Sequence, residues 1–199
     1  YPDHFYASVM NHQCDNTNEL AEAMFRVKQK KINISPPDIN LSTDKFVARG
    51  GNIYYKLSAI KDVGDSAYVR ILENRPYNSV QDLINKTEKR YVRTNVVSAL
   101  IKAGCFDFEN KNRVLLLNQL DVKEKIHDDW NDKLKMAYEK ESIGFYLTRH
   151  PLDEFYFEPL NSFNNNSNAL IAGEIISVTS KNDKKDNLMG FIEIMTQYG

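Results

Sequence analysis

Apolar positions recur at helical spacing through roughly the first 142 residues and change to a strand-like pattern near the C-terminus. Residues 3–11 predict a helix with Phe5, Tyr6 and Val9 on one side. Leu20, Met24 and Val27 repeat at i, i+4 and i+7, which predicts a second helix to about Lys31 with Thr17 as its cap. Pro36-Pro37 ends that unit, because proline disfavours helix at the residue before it. Residues 38–55 read as loop with a short extended piece at Ile53-Tyr54-Tyr55.

Short helices joined by tight turns follow. A brief helix over 56–61 leads to the turn Asp62-Val63-Gly64 and a helix over about 66–74, with Ala67, Ile71 and Leu72 inward. Ser79 caps the next, with Asp82 at its third position as in a capping box, and Val80, Leu83 and Ile84 inward. Thr94 is the expected cap of a helix carrying Val97, Leu100 and Ile101, and Gly104 stands where a left-handed C-cap is needed. Another helix is expected from about Asn110 through Leu120, and a last one over roughly 128–142 with Trp130, Leu134 and Ala137 inward. Residues 161–168 form a polar linker. Segments 169–179 and 188–195 then read as strands around a polar hairpin loop at 181–187. The predicted class is mainly α with a C-terminal β portion. Two strands alone are marginally stable, so the sheet is expected to continue past Gly199. The start at Tyr1 likewise suggests a segment of a longer protein.

Composition narrows the function classes. With 42% hydrophobic and 11% aromatic residues the chain can pack a core, unlike a disordered tail. No apolar run approaches the roughly 20 residues needed to span a bilayer, and no signal peptide is visible. Cys14 and Cys105 are far apart and form no C-x-x-C pair, so free thiols are expected rather than a disulfide or zinc site. His4, His12, His127 and His150 lack metal-ligand spacing; His4 and His12 could share a helix face, but surface or packing roles are expected. There is no phosphate-binding G-x-x-x-x-G-K-S/T loop, no G-x-G-x-x-G and no nucleophile elbow. Triplets such as Asn33-Ile34-Ser35 carry no glycosylation meaning without a secretory context.

The net charge of -1 argues against a strongly basic nucleic-acid binder, yet the sum hides a pattern. Residues 56–113 carry 11 basic and 7 acidic side chains, whereas residues 114–160 carry 6 and 10. The basic excess coincides with the short helices and tight turns. In a helix–turn–helix unit the second helix opens with unpaired N–H groups and partial positive charge. A glycine turn such as Val63-Gly64 lets such groups converge on an anion, phosphate being the natural guest, with Lys61 beside it. Contacts of that type hold a duplex without reading bases. An ordinary turn between core helices beneath a solvated charged face is the plainer alternative.

These residues also carry a resemblance. Leu57-Ser58-Ala59-Ile60-Lys61-Asp62-Val63-Gly64 resembles the "GLxxIKGVG" helix–hairpin–helix motif of the bacterial replicative DNA polymerase III alpha subunits, the C family. Residues 99–107 (ALIKAGCFD) resemble the family's "ALIKAGAFD". Tyr1-Pro2 with Phe5-Tyr6-Ala7 is similar to "YPxxFYAA", and Pro36-Pro37-Asp38-Ile39-Asn40 with Ser42 to "PPDIN-x-S". Residues 141–152 (ESIGFYLTRHPL) are similar to "ExLGFYLSxHPL". Ala172-Gly173-Glu174-Ile175 and Met189-Gly190-Phe191 resemble the opening of the family's OB domain. The matches keep the family's order over nearly the whole chain.

The resemblance implies the end of a fingers domain at 1–50 and a tandem helix–hairpin–helix domain gripping duplex DNA at 51–120. It implies a helical connector and linker at 121–167, and the first strands of an OB fold near single-stranded template at 168–199. The duplex-phosphate residues it points to, together with the hairpin argument, are Lys61, Val63, Gly64, Asp65, Ser66, Lys89, Arg90, Arg93, Lys102, Ala103, Gly104, Cys105 and Lys111. Lys181, Lys184, Lys185 and Phe191 are the single-strand candidates, although a strand phenylalanine more often packs in a core. The parent reaction would be Mg²⁺-dependent nucleotidyl transfer at a primer 3′ end. No palm-like pair of catalytic aspartates is recognisable in this chain, so these residues alone are expected to have no catalytic site, no metal and no cofactor. The location implied is cytoplasmic, in a bacterium or a phage-infected cell.

Two departures from the family pattern stand out. Asp62 replaces the usual glycine, and a carboxylate there either repels phosphate or caps the turn. Gln119-Leu120-Asp121-Val122 lacks the aromatic of an internal sliding-clamp motif, so clamp binding by this segment is not expected. The 18 lysines against 8 arginines suggest AT-rich coding and a divergent version of mobile-element or phage type. A stand-alone helix–hairpin–helix repair or recombination protein is the alternative reading. A replisome interaction scaffold, docking through the acidic connector with Trp130, Tyr138 and Phe155-Tyr156-Phe157, is another.

Overall fold

A computed structural model describes residues 1–120, 132–153 and 171–196. Helix α1 (Pro2–Gln13) opens on Pro2, whose missing N–H removes no helical hydrogen bond at that position. It buries Ala7 and Met10, with Tyr6 and Val9 packed beside them. Phe5 is 63% exposed, so it leaves the inward stripe expected for it. Helix α2 (Thr17–Gln29) buries Leu20, Ala23, Met24 and Val27 against α1. Its cap is Asn16 rather than Thr17. Asn16 Oδ1 accepts from the Glu19 amide at 3.3 Å while its Nδ2 donates to Glu19 Oε1 at 2.9 Å. Thr17 is already the first helical residue.

Strands β1 (Asn33–Ser35), β2 (Val47–Arg49) and β3 (Asn52–Tyr54) form a sheet in the order β1-β3-β2. Strand β3 runs parallel to β1, with Ile53 opposite Ile34, and antiparallel to β2, with Ile53 opposite Ala48. Gly50 and Gly51, at φ 59° and 79°, make the two-residue turn that left-handed backbone allows. Asn11 of α1 grips this sheet by pairing with both backbone groups of Phe46, at 2.9 and 2.8 Å. Only the 53–55 piece is legible in the sequence, because three-residue strands are too short to show an alternation.

The stretch 36–42 is an ordered clip. Asp38 Oδ1 accepts from the Asn40 and Leu41 amides at 2.7 and 2.9 Å, and Ser42 Oγ accepts from the Asp38 amide at 2.9 Å. Ile39 is buried, and its amide donates to the Cys105 carbonyl at 3.1 Å. The Asn40 side chain pairs with the Tyr77 carbonyl and amide, both at 2.8 Å. Arg75, which precedes Pro76 across a cis peptide, donates to the Ser42 carbonyl at 2.6 Å. One short segment thus ties the N-terminal helices to the helical hairpins.

Those hairpins run through a 3₁₀ turn at Leu57–Ala59 and helices α3 (Asp65–Glu73), α4 (Val80–Lys86), α5 (Thr94–Ala103) and α6 (Arg113–Leu117). Ala67, Ile71, Val80, Leu83, Val97, Leu100 and Ile101 enter the core as their spacing predicts, while Leu72 and Ile84 are half-buried. Ser79 caps α4 by accepting from the Asp82 amide at 3.0 Å, and Gly104 ends α5 in the left-handed region at φ 94°. Thr94 does not cap α5; Arg93 occupies that position and offers no side-chain acceptor. Helix α6 is shorter than the expected 110–120, because Asn112 caps it by accepting from the Val114 amide at 3.1 Å.

Helix α7 (Asp132–Ile143) packs on α5. Its buried residues are Glu139, Ser142 and Ile143, whereas Ala137 is exposed and Trp130 lies outside the described residues. Strands β4 (Glu174–Asn182) and β5 (Leu188–Met195) form an antiparallel hairpin with a register shift between Ile175 and Ser177. Lys181 and Asn182 belong to β4 rather than to the expected loop. Asp183 organises the turn by accepting from the Lys185 and Asn187 amides at 2.7 and 2.9 Å. The linker at 161–168 lies outside the described residues. The molecule is mainly helical, with a small C-terminal two-stranded sheet. No helix among the described residues is long and apolar enough to cross a membrane.

Candidate nucleic-acid interface

The first hairpin is the turn between the Leu57–Ala59 3₁₀ element and α3. Val63 plugs the core, while Lys61, Asp62, Gly64, Asp65 and Ser66 are exposed. The Val63 amide donates back to the Ile60 carbonyl at 3.1 Å, so it is committed inside the turn. The left-handed residue is Asp62, at φ 69°, and not Gly64, whose φ is -76°. That fits the motif's glycine at position 62, since every L side chain is strained there, Asn and Asp least. Gly64 is the N-cap of α3, and no side chain caps that helix. A Cβ built on Gly64 meets nothing within 4 Å, so the space beside this helix start is open. Two carboxylates, Asp62 and Asp65, flank this opening and weaken its pull on an anion.

The N-terminus of α5 is the more positive of the two. Arg93 caps it without a side-chain bond, and no acidic residue stands in its first turn. Lys89, Arg93 and Thr94 line a cleft of about 460 Å³ with Gln81, Val97 and Gln119. Arg90 pairs with Glu88 at 2.8 Å on the surface and lies over the Tyr91 ring at 4.6 Å. Arg70 of α3 reaches the same ring at 5.0 Å, linking the first hairpin's helix to this basic turn. Arg70 and Tyr91 escaped the sequence reading, because their pairing spans two helices and leaves no local spacing.

Ala103, Gly104 and Cys105 are placed differently from the expectation. Ala103 and Cys105 are fully buried. The Gly104 and Cys105 amides donate to the Ile101 and Leu100 carbonyls, both at 3.0 Å, so they end a helix rather than open one. Burial pushes the Cys105 thiol well above its usual pKa, and both cysteines are free. Lys102 Nζ is held by Glu141 at 3.2 Å and lies 4.7 Å from the Tyr138 ring centroid. Lys111 is exposed just before the α6 cap.

Arg113, part of the basic excess, faces inward. It is fully buried, binds Asp107 with two 2.7 Å bonds, donates to the Lys102 carbonyl at 2.8 Å and lies 3.5 Å from the equally buried Glu139. Glu139 in turn accepts from the Leu147 and Thr148 amides, both at 3.0 Å. No sequence signal distinguishes this arginine and glutamate from their solvated neighbours.

Comparison with known proteins agrees with this geometry. Residues 31–116 match the family described as helix-hairpin-helix motif. The DNA polymerase III subunit alpha of Aquifex aeolicus (strain VF5) is 30% identical over 225 aligned positions, covering 100% of this chain and 19% of that protein. The chain belongs with the DNA polymerase III alpha subunits. The Campylobacter jejuni (serotype O:2) alpha subunit is 27% identical over 248 positions, with 100% of this chain and 21% of that protein covered. The alpha subunit of Staphylococcus epidermidis (strain RP62A) is 28% identical over 180 positions, with 77% and 17% covered. The chain therefore spans about a fifth of the length of these alpha subunits.

On the C-terminal hairpin, Lys181 Nζ lies 4.6 Å from the Phe191 ring centroid. Phe191 pairs across from Thr179, on the face that also carries Ser177, Glu193, Lys181 and Met189. The opposite face carries Val178, Ile192 and Leu188, and both faces are exposed. Lys184 and Lys185 are exposed at the turn. Among the described residues no three His, Cys, Asp or Glu side chains cluster as a metal site.

Proposed function

We propose that this chain is a non-catalytic, duplex-gripping part of a replicative polymerase alpha subunit. The observation that carries the reading is the open, uncapped N-terminus of α3 behind Lys61, within a helix–hairpin–helix match. The Gly64, Asp65 and Ser66 amides with Lys61 would hold one backbone phosphate of primer–template duplex. The α5 N-terminus with Lys89, Arg90 and Arg93 would hold a second, and Lys111 would add neutralising charge. We assign 1–50 to the end of the fingers, 51–120 to the tandem helix–hairpin–helix domain, 121–167 to the connector and 168–199 to the start of an OB fold. Lys181, Lys184, Lys185 and Phe191 would then meet single-stranded template, the ring offering a stacking face beside a cation. Nucleotidyl transfer with Mg²⁺ would be the work of the full-length cytoplasmic protein. Charge reversal tests the site: Lys61→Glu and Arg93→Glu each weaken duplex binding about ten-fold for all sequences alike. Fluorescence anisotropy on two unrelated duplexes checks this, and unchanged affinity in both variants would refute the placement.

A further inference from the structure

Helix α7 places Tyr138 and Ile143 against the core and buries polar groups beside them. Its buried positions are Glu139, Ser142 and Ile143, of which only Ile143 is apolar. Glu139 faces Arg113 and gathers the Leu147 amide, the Thr148 amide and the Thr148 hydroxyl, each at 3.0 Å. One turn along, the Ser142 carbonyl accepts from the Lys61 amide at 2.8 Å. The two residues sit on one face of the helix, about 4.5 Å apart along its axis. Arg113 itself is fixed by Asp107 and by the Lys102 carbonyl at the end of α5.

We infer that Glu139 is a positioning residue for the first hairpin: its buried contact with Arg113 sets the register of α7, and that register places Lys61. This rests on the duplex-binding reading above. A buried charged pair is seldom the most stabilising way to fill a site, since a well-packed apolar substitute often does as well. Such a pair does favour one register, because a slip of one residue would carry the Glu139 carboxylate away from Arg113, which stays with Asp107 and the Lys102 carbonyl. Here the register is transmitted through a single backbone bond to the residue whose ammonium would meet phosphate. The apolar packing of Tyr138 and Ile143 is non-directional and sets the position of the Ser142 carbonyl less tightly than a hydrogen-bonded charge does.

The test uses the intact 199-residue chain and its Glu139→Gln variant. Three readouts are taken: amide exchange at Lys61, duplex affinity, and the slope of log affinity against log salt. Glu139→Gln keeps the shape of the side chain and removes the charge opposite Arg113. The Lys61 amide is expected to lose at least ten-fold in protection, and duplex affinity to fall roughly three- to ten-fold. The salt slope loses about 0.9, the equivalent of one phosphate contact, which general destabilisation of a still-folded protein does not produce. Wild-type Lys61 protection and salt slope in a folded Glu139→Gln variant would overturn the inference. If that variant does not fold, Arg113→Lys keeps the charge but loses the fork, and the same readouts decide. If the wild-type chain binds no duplex, the duplex reading fails, while the exchange at Lys61 still decides the positioning role.

Discussion

At the scale of single residues, placement decides function more than identity does. Arg113 and Arg93 are the same amino acid in the same basic segment, yet one is sealed against Asp107 and Glu139 while the other stands open at a helix start. His150 shows the same dependence on surroundings. Its Nδ1 accepts from the Leu152 amide at 3.1 Å, and its ring meets Tyr146 edge-on at 5.0 Å. Burial first, then the charges of Lys28 and Lys140, hold its pKa below 6.5, against the raising effect of Asp153. The folded state therefore disfavours the proton that the unfolded chain takes up. The stability this contributes is present above pH 6.5 and is lost as pH falls through the lower folded value. Urea midpoints between pH 7.5 and 5 should decline more steeply for the wild type than for His150→Gln. Parallel declines would contradict this role.

At the scale of elements, the first hairpin combines a helix start open to an anion with an acid in its tightest position. Asp62 sits at φ 69°, where glycine rests without strain, and its carboxylate stands beside the proposed phosphate. Asp62→Gly should raise stability by about 0.5 kcal/mol, the relief of left-handed strain exceeding the added freedom of the unfolded chain. It should also tighten duplex binding roughly three-fold by removing a repulsive charge. Chemical denaturation and anisotropy check the two effects separately, and weaker duplex binding would mean that Asp62 serves the grip. Helix existence was legible in the sequence wherever an apolar stripe and a stop signal coincided, as in α4 with Ser79 and α5 with Gly104. Caps were less legible, because Asn16 and Thr17, or Arg93 and Thr94, differ only in which backbone turns first. The short sheet, the 36–42 clip and the register of α7 depend on partners tens of residues away, such as Asn40 with Tyr77, and no local pattern announces them.

At the scale of the whole molecule, the near-neutral charge conceals an uneven one, and the structure redistributes it further. Arg113 is buried, and Lys102 is tied to Glu141. Lys61, Lys89, Arg93 and Lys111 remain exposed, as does Arg90, which pairs with Glu88 at the surface. The central claim is that these groups hold the backbone of a duplex. It is tested most directly by titrating the 199-residue chain with primer–template DNA across a range of salt. The account predicts equal affinity for unrelated sequences and a log–log slope of about -3 to -4.5, one counterion release per phosphate neutralised. A flat salt dependence, or no duplex binding at 50 mM salt or below, would contradict it.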